Sequence, residues 1–361
     1  MPEKKLYSLP KDKVPALIAA LLRSKHEVWG PVRGERGDTM LDRLSTEKEL
    51  VADYVNGFLG AKRYVFPQRE ELFRFRTTRG GTALETPRDD APAVIWGLRS
   101  CDMSAVNYFD SFFGKGAAAR PDWTSGDPLP DPLYLARRER AVFVSIACTQ
   151  AGPKCFCVCT DSGPFLSKGY DVQLTDLGAR YLAETGTARG EEFVKRHAKY
   201  FSAGRDEDMK RRRRLEVEAE KTFQEPVSFF AKAMRKLDQG KVKPDFWNKV
   251  AGYCIGCGGC IYVCPMCSCF DVDDKMTGAG EGARFRMWDT CDFAGFTREV
   301  SGHNPRATRA DRRKRWFYHK LSMDYLEKNP VIGCVGCGRC VITCPGGIDM
   351  ATVVRWMRKV E

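Results

Sequence analysis

The chain has 361 residues, enough for about two domains of ordinary size, and its 43% hydrophobic and 29% charged residues exclude disorder over most of its length. Its unusual features are a net charge of +12 and 16 cysteines. The N-terminal residues predict a short helix and not a signal peptide, and the sequence contains no apolar run of roughly 18 residues. We therefore expect a cytoplasmic protein with no membrane span. In a reducing compartment, closely spaced cysteines hold metal more often than they form disulfides.

The N-terminal region, residues 1–205, has the pattern of an α/β domain. Its predicted elements in chain order are a helix at Val14–Leu22, a strand at Ala93–Leu98, a helix at Met103–Phe113, a loop rich in Gly and Pro at Gly114–Pro132, a strand at Ala141–Cys148 and a helix at Leu177–Thr185.

Residues 206–245 form a predicted helical bridge, interrupted at Pro226. The cysteine-rich region, residues 246–361, contains an insert at about 270–330 with a basic helix at Thr308–Lys328, and it ends in a helix within Ile348–Glu361. Two basic runs, Lys210–Arg214 and Arg309–Arg315, indicate solvated helix faces or docking sites for an acidic partner subunit. No nucleic-acid-binding motif accompanies them, so we expect no nucleic-acid partner.

Two copies of one pattern, C-x2-C-x2-C-x3-C-P, begin at Cys254 (CIGCGGCIYVCP) and Cys334 (CVGCGRCVITCP). In two-cluster ferredoxins, the fourth cysteine of such a run ligates the other cluster. The predicted ligands of the first [4Fe-4S] cluster are therefore Cys254, Cys257, Cys260 and Cys344. Those of the second are Cys334, Cys337, Cys340 and Cys264.

The residues between these cysteines agree with cluster binding. Glycines allow backbone amides to approach the cluster sulfides, and six apolar side chains are predicted to shield the clusters from water: Ile255, Ile261, Val263, Val335, Val341 and Ile342. The alternative metal is zinc, but zinc sites usually combine two C-x2-C pairs, often with histidine, and no histidine lies within either run. The pattern therefore favours iron–sulfur clusters.

The other eight cysteines leave alternatives open. A possible third cluster would use Cys101, Cys148, Cys155 and Cys157, and the alternative is that these are buried structural thiols. We expect Cys267 and Cys269 to pack beside the first cluster. Cys291 has no companion at ligand spacing, which indicates a buried or partner-facing thiol.

The chain resembles the beta subunits of cytosolic sulfhydrogenases and the A subunits of anaerobic sulfite reductases. The resemblance is carried by the second cysteine run and by Trp96–Asp110, Cys155–Pro164, Phe246–Asp271 and Arg286–Leu321. It implies that the eight run cysteines bind two [4Fe-4S] clusters, which couple a flavin-containing NAD(P) subunit to a catalytic subunit. In the CFCVC segment, Cys159 is an extra cysteine relative to the pattern of these proteins.

We therefore expect an α+β protein in which an N-terminal α/β domain precedes a helical, two-[4Fe-4S], bacterial-ferredoxin-like domain with a long insert. Its expected function is electron transfer, without catalysis of its own, in a cytosolic multisubunit oxidoreductase whose catalytic subunit is a hydrogenase, a sulfite reductase or a similar enzyme. The alternative is a catalytic reductase with a flavin or substrate site in the N-terminal domain. No dinucleotide-binding or Walker motif is present.

Overall fold

Two β-sheets organise the first half of the chain. The structure is a computed structural model that describes residues 5–87, 91–114, 129–328 and 331–361. Its strands are β1 (Leu6–Pro10), β2 (Glu27–Arg33), β3 (Thr39–Arg43), β4 (Arg69–Thr78), β5 (Gly81–Glu85), β6 (Ala93–Arg99), β7 (Ala141–Ile146), β8 (Val172–Asp176), β9 (Arg180–Thr185), β10 (Ser202–Ala203), β11 (Phe270–Gly278) and β12 (Glu281–Trp288).

Helices flank the larger sheet and form most of the second half of the chain. They are α1 (Val14–Arg23), α2 (Lys62–Val65), α3 (Ser100–Phe112), α4 (Pro132–Arg140), α5 (Ala188–Arg196), α6 (Asp206–Glu220), α7 (Phe229–Asp238), α8 (Pro244–Tyr253), α9 (Gly259–Tyr262), α10 (Arg309–Leu321), α11 (Met323–Lys328), α12 (Arg339–Thr343) and α13 (Met350–Lys359). Within the described ranges, no helix is both long and apolar enough to cross a membrane.

The larger sheet has eight strands in the order β10-β1-β9-β8-β7-β6-β2-β3. Strands β2, β6, β7 and β8 are parallel neighbours at its centre. The run from Ala93 to Leu98 is almost entirely buried, as expected of a parallel strand covered on both faces. Because parallel strands end at one edge of a sheet, Cys101 after β6 and Cys148 after β7 come to the same edge.

The smaller sheet joins distant segments of the chain. Its antiparallel order is β11-β12-β4-β5, with Arg286 of β12 paired with Glu70 of β4. These two side chains also form a buried ion pair. The hairpin that opens the insert of the cysteine-rich region therefore completes a sheet begun before residue 90. The division into domains at residues 205 and 245 stays a prediction.

The structure corrects one predicted element. The prediction of a helix at Leu177–Thr185 is wrong, because strand β9 occupies Arg180–Thr185 and pairs with both β1 and β8. Its buried residues Tyr181 to Thr185 lie inside the sheet, where both faces are covered. A segment of nine residues is too short for periodicity alone to separate a buried strand from a helix.

The other predicted elements are confirmed: α1, α3, the strands β6 and β7, the bridge helices α6 and α7 with Pro226 between them, and the closing helix α13. The single basic helix predicted at Thr308–Lys328 is divided at Ser322 into α10 and α11. Of the predicted loop Gly114–Pro132, residues 115–128 lie outside the described residues. The N-terminal sheets and the C-terminal helices give the expected α+β fold. A second hydrophobic core, formed mainly by α7, α8, α10 and α13, supports the cysteine runs.

Candidate metal centres

The cysteines of the two runs line two cavities of equal size, about 320 Å³ each with the solvent at their mouths included. The structure brings Cys254, Cys257 and Cys260 together with Cys344 around the first cavity. The second cavity is lined by Cys334, Cys337, Cys340 and Cys264. Each cavity thus combines three cysteines of one run with the last cysteine of the other run, Cys260 lines the second cavity as well, and neither run forms a site alone.

The backbone of each run turns its amides towards the thiols. The short helices α9 and α12 begin after Gly258 and Gly338, whose φ angles of 68° and 73° lie in the left-handed region that glycine adopts without strain. Two residues after the first cysteine of each run, the amides of Gly256 and Gly336 approach the Sγ atoms of Cys254 and Cys334 at 3.4 Å. Such inward amides stabilise thiolates and cluster sulfides.

A buried cation lies against each of these cavities. Arg313 of α10, which is 1% exposed, donates from Nη1 to the Sγ of Cys260 at 3.5 Å. Lys320, further along α10, donates to the Sγ of Cys264 at 3.4 Å and to the carbonyl of Gly333 at 2.7 Å. Both cations face sulfur, so each cavity is suited to a cofactor of net negative charge.

A third cavity of about 340 Å³ lies at the carboxyl edge of the larger sheet. It is lined by Cys101, Cys148, Cys155 and Cys157, the four cysteines that the sequence indicates for a possible third cluster. Arg99 lines the same cavity and is held in place because its guanidinium donates to the carbonyl of Tyr54. Cys101 and Cys148 reach the cavity from two strand ends, Cys155 from the loop that follows, and Cys157 as the first residue of the 3-10 turn Cys157–Thr160.

The three cavities lie in a row. Cys260 lines both the first and the second cavity, and Cys337 lines both the second and the third. The carbonyl oxygen of Cys337 accepts two hydrogen bonds, one from the Sγ of Cys155 at 3.7 Å and one from the Nδ2 of Asn56 at 2.6 Å. The second cavity is therefore the central one.

Glycines of the second run allow this close approach. A Cβ atom on Gly336 would lie 2.5 Å from the carbonyl oxygen of Phe156, and one on Gly338 would lie 2.2 Å from that of Lys154. At the equivalent position of the first run, a Cβ on Gly256 would come no closer than 3.9 Å to another residue. The second run thus packs against the loop that carries Cys155 and Cys157, and the first run does not.

One ion pair ties the second run to the third cavity. Arg339, which is 3% exposed, donates to Asp102 at 2.8 Å and to the carbonyl of Gly57 at 2.6 Å. Asp102 follows Cys101 directly, and Arg339 lies between Cys337 and Cys340. A buried ion pair with hydrogen bonds to the backbone fixes the relative positions of the two segments.

Shielding by the apolar residues of the runs is uneven. Ile261, Val263 and Val335 are buried as predicted, and Val341 is partly buried. The prediction is wrong for Ile255 and Ile342, which are 67% and 71% exposed. Because Cys257 is exposed as well, solvent reaches the wall of the first cavity.

Burial raises the pKa of most cysteines that line the cavities. It raises the pKa of Cys260 and Cys155 to about 11 and that of Cys334 to about 12, and nearby cations or backbone amides offset some of the effect. Such thiols stay protonated at neutral pH unless a cation or a metal replaces the proton. The buried thiols, inward amides and adjacent cations together fit [4Fe-4S] clusters.

The remaining cysteines are placed differently from one another. The Sγ of Cys159 donates to the carbonyl of Pro226 at 3.2 Å, outside the three cavities. Cys267 is hydrogen-bonded to Cys264, beside the second cavity and not beside the first, where the sequence predicts it. Cys291 has a spatial companion after all, because its thiol is hydrogen-bonded to that of Cys269. Within the described ranges, no three His, Cys, Asp or Glu side chains converge on a position for one metal ion.

The sequence reasoning missed the buried cations. The prediction that Arg309–Arg315 forms a solvated or docking surface is wrong for Arg312 and Arg313, because both are buried. The signal is present in the helical spacing, since Arg313, Trp316, Phe317 and Lys320 recur at intervals of three and four residues and so share one face. In the other run, Lys210–Arg214, Arg212 is also buried, where it pairs with Glu184 at 3.1 Å.

Comparisons with known proteins agree with this geometry. Residues 253–348 match the family model described as a 4Fe-4S dicluster domain. Over 339 residues, the chain is 29% identical to the Sulfhydrogenase 2 subunit beta of Pyrococcus furiosus, and the match covers 94% of each protein. No solved structure matches the chain. The chain is thus a homologue of a sulfhydrogenase beta subunit over nearly all of its length, and it carries a 4Fe-4S dicluster domain.

Proposed function

We propose that the protein is the iron–sulfur electron-transfer subunit of a hydrogenase-type complex. In this proposal it relays electrons between a flavin- and NAD(P)-binding subunit and a catalytic subunit. The observation that carries the proposal is the row of three cysteine-lined cavities, in which Cys260 and Cys337 each belong to two neighbours. A relay needs redox sites in series with short gaps between them, and shared lining residues keep these gaps short.

The chain would hold two [4Fe-4S] clusters with the ligand sets predicted from the runs. Cys254, Cys257, Cys260 and Cys344 would bind the first cluster, and Cys334, Cys337, Cys340 and Cys264 would bind the second. A [4Fe-4S] cluster, when bound, supplies one-electron redox chemistry. The residues of the chain fix the positions of the sites and place Arg313 and Lys320 where they favour added negative charge.

We further propose a third cluster, held by Cys101, Cys148, Cys155 and Cys157. Two features support it: the cavity is as large as the other two, and Arg99 supplies a partly buried cation there. The alternative is that these four cysteines are buried structural thiols, and iron analysis separates the two. The third site would then form the end of the relay that lies in the N-terminal half of the chain, and the first site would form the opposite end.

The partner at the first site would meet an exposed, partly apolar surface. Tyr253 and Ile255, which line the first cavity, are 54% and 67% exposed. Arg309 lies beside them, since its Nη1 donates to the carbonyl of Cys254 at 2.6 Å. An apolar centre with a basic rim suits a partner subunit that offers an apolar contact with acidic residues around it.

The test is electron flow through the assembled complex after removal of one ligand. In Cys257→Ala, electron flow between the two partner subunits should be lost, while each partner keeps its own dye-linked activity. Cys159→Ala is the matched control, because this buried cysteine lies outside the three cavities. Undiminished flow in Cys257→Ala would refute the relay, and flavin bands in the spectrum of the isolated subunit would favour a catalytic role instead.

A further inference from the structure

Two cysteines that the relay does not use lie together at the base of the hairpin β11–β12. Cys269 comes directly before β11, and Cys291 follows the end of β12 by three residues. The amide of Asp289 donates to the carbonyl of Cys269 at 3.1 Å, which holds the two chain segments side by side. The thiols of Cys269 and Cys291 are hydrogen-bonded to each other, which places the two sulfurs side by side.

The surroundings of the Cys269 thiol are electropositive because Lys62 and Lys320 lie near it, whereas Asp292 lies near Cys291. Lys62 is 5% exposed, and its Nζ lies 3.7 Å from the ring centroid of Trp288. Among the residues that the structure describes, no carboxylate lies within ion-pair distance of Lys62. Burial lowers the pKa of Lys62 to about 8, and Cys267, Cys264 and Cys269 offset part of this effect. A buried ammonium that faces thiols favours their deprotonated, reactive form.

The two thiols differ in acidity. The hydrogen bond from Cys291 lowers the pKa of Cys269 to about 6, with help from the charges of Lys62 and Lys320 and against the effect of burial. The same hydrogen bond and burial raise the pKa of Cys291. A thiolate beside a thiol is the arrangement found in cysteine pairs that exchange between dithiol and disulfide.

The pair also lies close to the central site of the relay. Cys267, two residues before Cys269, is hydrogen-bonded to Cys264, which lines the second cavity. Lys320 contacts Cys264 and also favours the Cys269 thiolate. The hairpin base is thus in contact with the wall of the second cavity.

We propose that Cys269 and Cys291 form a redox-active dithiol/disulfide couple that exchanges electrons with the neighbouring iron–sulfur sites. On oxidation, the two S–H bonds break, one S–S bond forms, two protons leave to water and two electrons leave. Each electron reduces one iron–sulfur centre, so two centres take up the pair. The inference rests on the proposed function, because those centres are the oxidant. The couple would store two electrons beside a relay that carries them singly.

The experiment maps thiols in the full-length protein, prepared anaerobically with its clusters. One portion is poised with oxidised thionine and another with dithionite, and each is then unfolded in excess N-ethylmaleimide and digested for mass spectrometry. We expect a Cys269–Cys291 disulfide in the oxidised portion and two alkylated thiols in the reduced portion. Cys159 is the internal control and should be alkylated in both portions, since it contacts backbone carbonyls.

Variants separate this couple from metal ligation. In a reductive titration, the wild type should take up two more electrons per chain than Cys291→Ser, and both proteins should contain the same amount of iron. If Cys269 and Cys291 are alkylated in both the oxidised and the reduced portions, the couple is overturned. Iron in the same protein would then leave the proposed relay intact. Loss of about four irons in Cys291→Ser would also overturn it, because Cys291 would then be a cluster ligand. A disulfide in a protein that never binds iron would remove the proposed oxidant and count against the relay itself.

Discussion

Arg313 donates to the Sγ of Cys260 while its other neighbour, the carboxylate of Asp292, lies 3.6 Å away with 1% exposure. A full positive charge is thereby held against the wall of the first cavity, out of contact with water. Burial alone would lower the pKa of Arg313. Its positive charge is tolerated because Cys260, Asp292 and Cys254 lie around it and raise this pKa above its usual value.

Removing this charge should lower the reduction potential of the first cluster. In Arg313→Met, the reduced form loses a stabilising charge at a distance of several ångström, worth on the order of 1–3 kcal/mol, or roughly 40–130 mV for a one-electron couple. Potentiometric titration followed by electron paramagnetic resonance measures the shift. Arg313→Lys is the control and should keep most of the potential. An unchanged potential in Arg313→Met would show that this cation does not act on a cluster.

The ion pair of Arg339 and Asp102 should stabilise the contact between the second run and the N-terminal region. Arg339→Met leaves Asp102 buried without its partner, and breaking a buried pair in this way costs about 3–5 kcal/mol. We expect a clear fall in the anaerobic melting temperature. The control is Arg355→Met, since the pair of Arg355 with Glu225 is half exposed and contributes about 1 kcal/mol or less. Equal melting temperatures for the two variants would contradict the anchoring role of Arg339.

Two equivalent glycines offer a matched test of the third site. Gly336 and Gly256 have φ angles of 58° and 71°, so alanine adds about 1–2 kcal/mol of backbone strain at either. At Gly336, the new Cβ also meets the backbone of Phe156 and Cys157 at 2.5 to 2.6 Å and must displace this loop. Gly336→Ala should therefore lose about four of about twelve irons, whereas Gly256→Ala should keep them. Equal iron contents would show that the loop from Cys155 to Cys157 does not hold a cluster.

The reactivity of Cys269 should depend on pH below neutrality. Because its pKa in the reduced protein is lowered to about 6, its rate of alkylation should rise through pH 6 and level off near neutrality, well below the usual thiol value of 9.0. By linkage, the stabilisation from this lowered pKa is complete above pH 9.0 and is lost as the pH falls towards 6. In Lys62→Met, the midpoint should move to higher pH. A wild-type midpoint near pH 9 would contradict the electropositive surroundings.

Sequence patterns predict the elements that carry strong local signals. The repeated cysteine spacing indicates the same two groups of cysteines that line the first and second cavities, and their role as cluster ligands stays a prediction. The local sequence pattern of β9 predicts a helix. The segment forms a strand because it pairs with β1 and β8, which are distant elements that the local pattern does not reveal. The meeting of Cys269 with Cys291, and of Arg339 with Asp102, arises from long-range packing that no local pattern encodes.

The most direct test of the central claim is the iron and acid-labile sulfide content of the anaerobically purified protein, measured together with that of Cys257→Ser and Cys148→Ser. We predict about twelve of each per wild-type chain and a loss of about four of each in either variant. About eight in the wild type, unchanged in Cys148→Ser, would remove the third site. A colourless protein that contains zinc in place of iron would contradict the whole account.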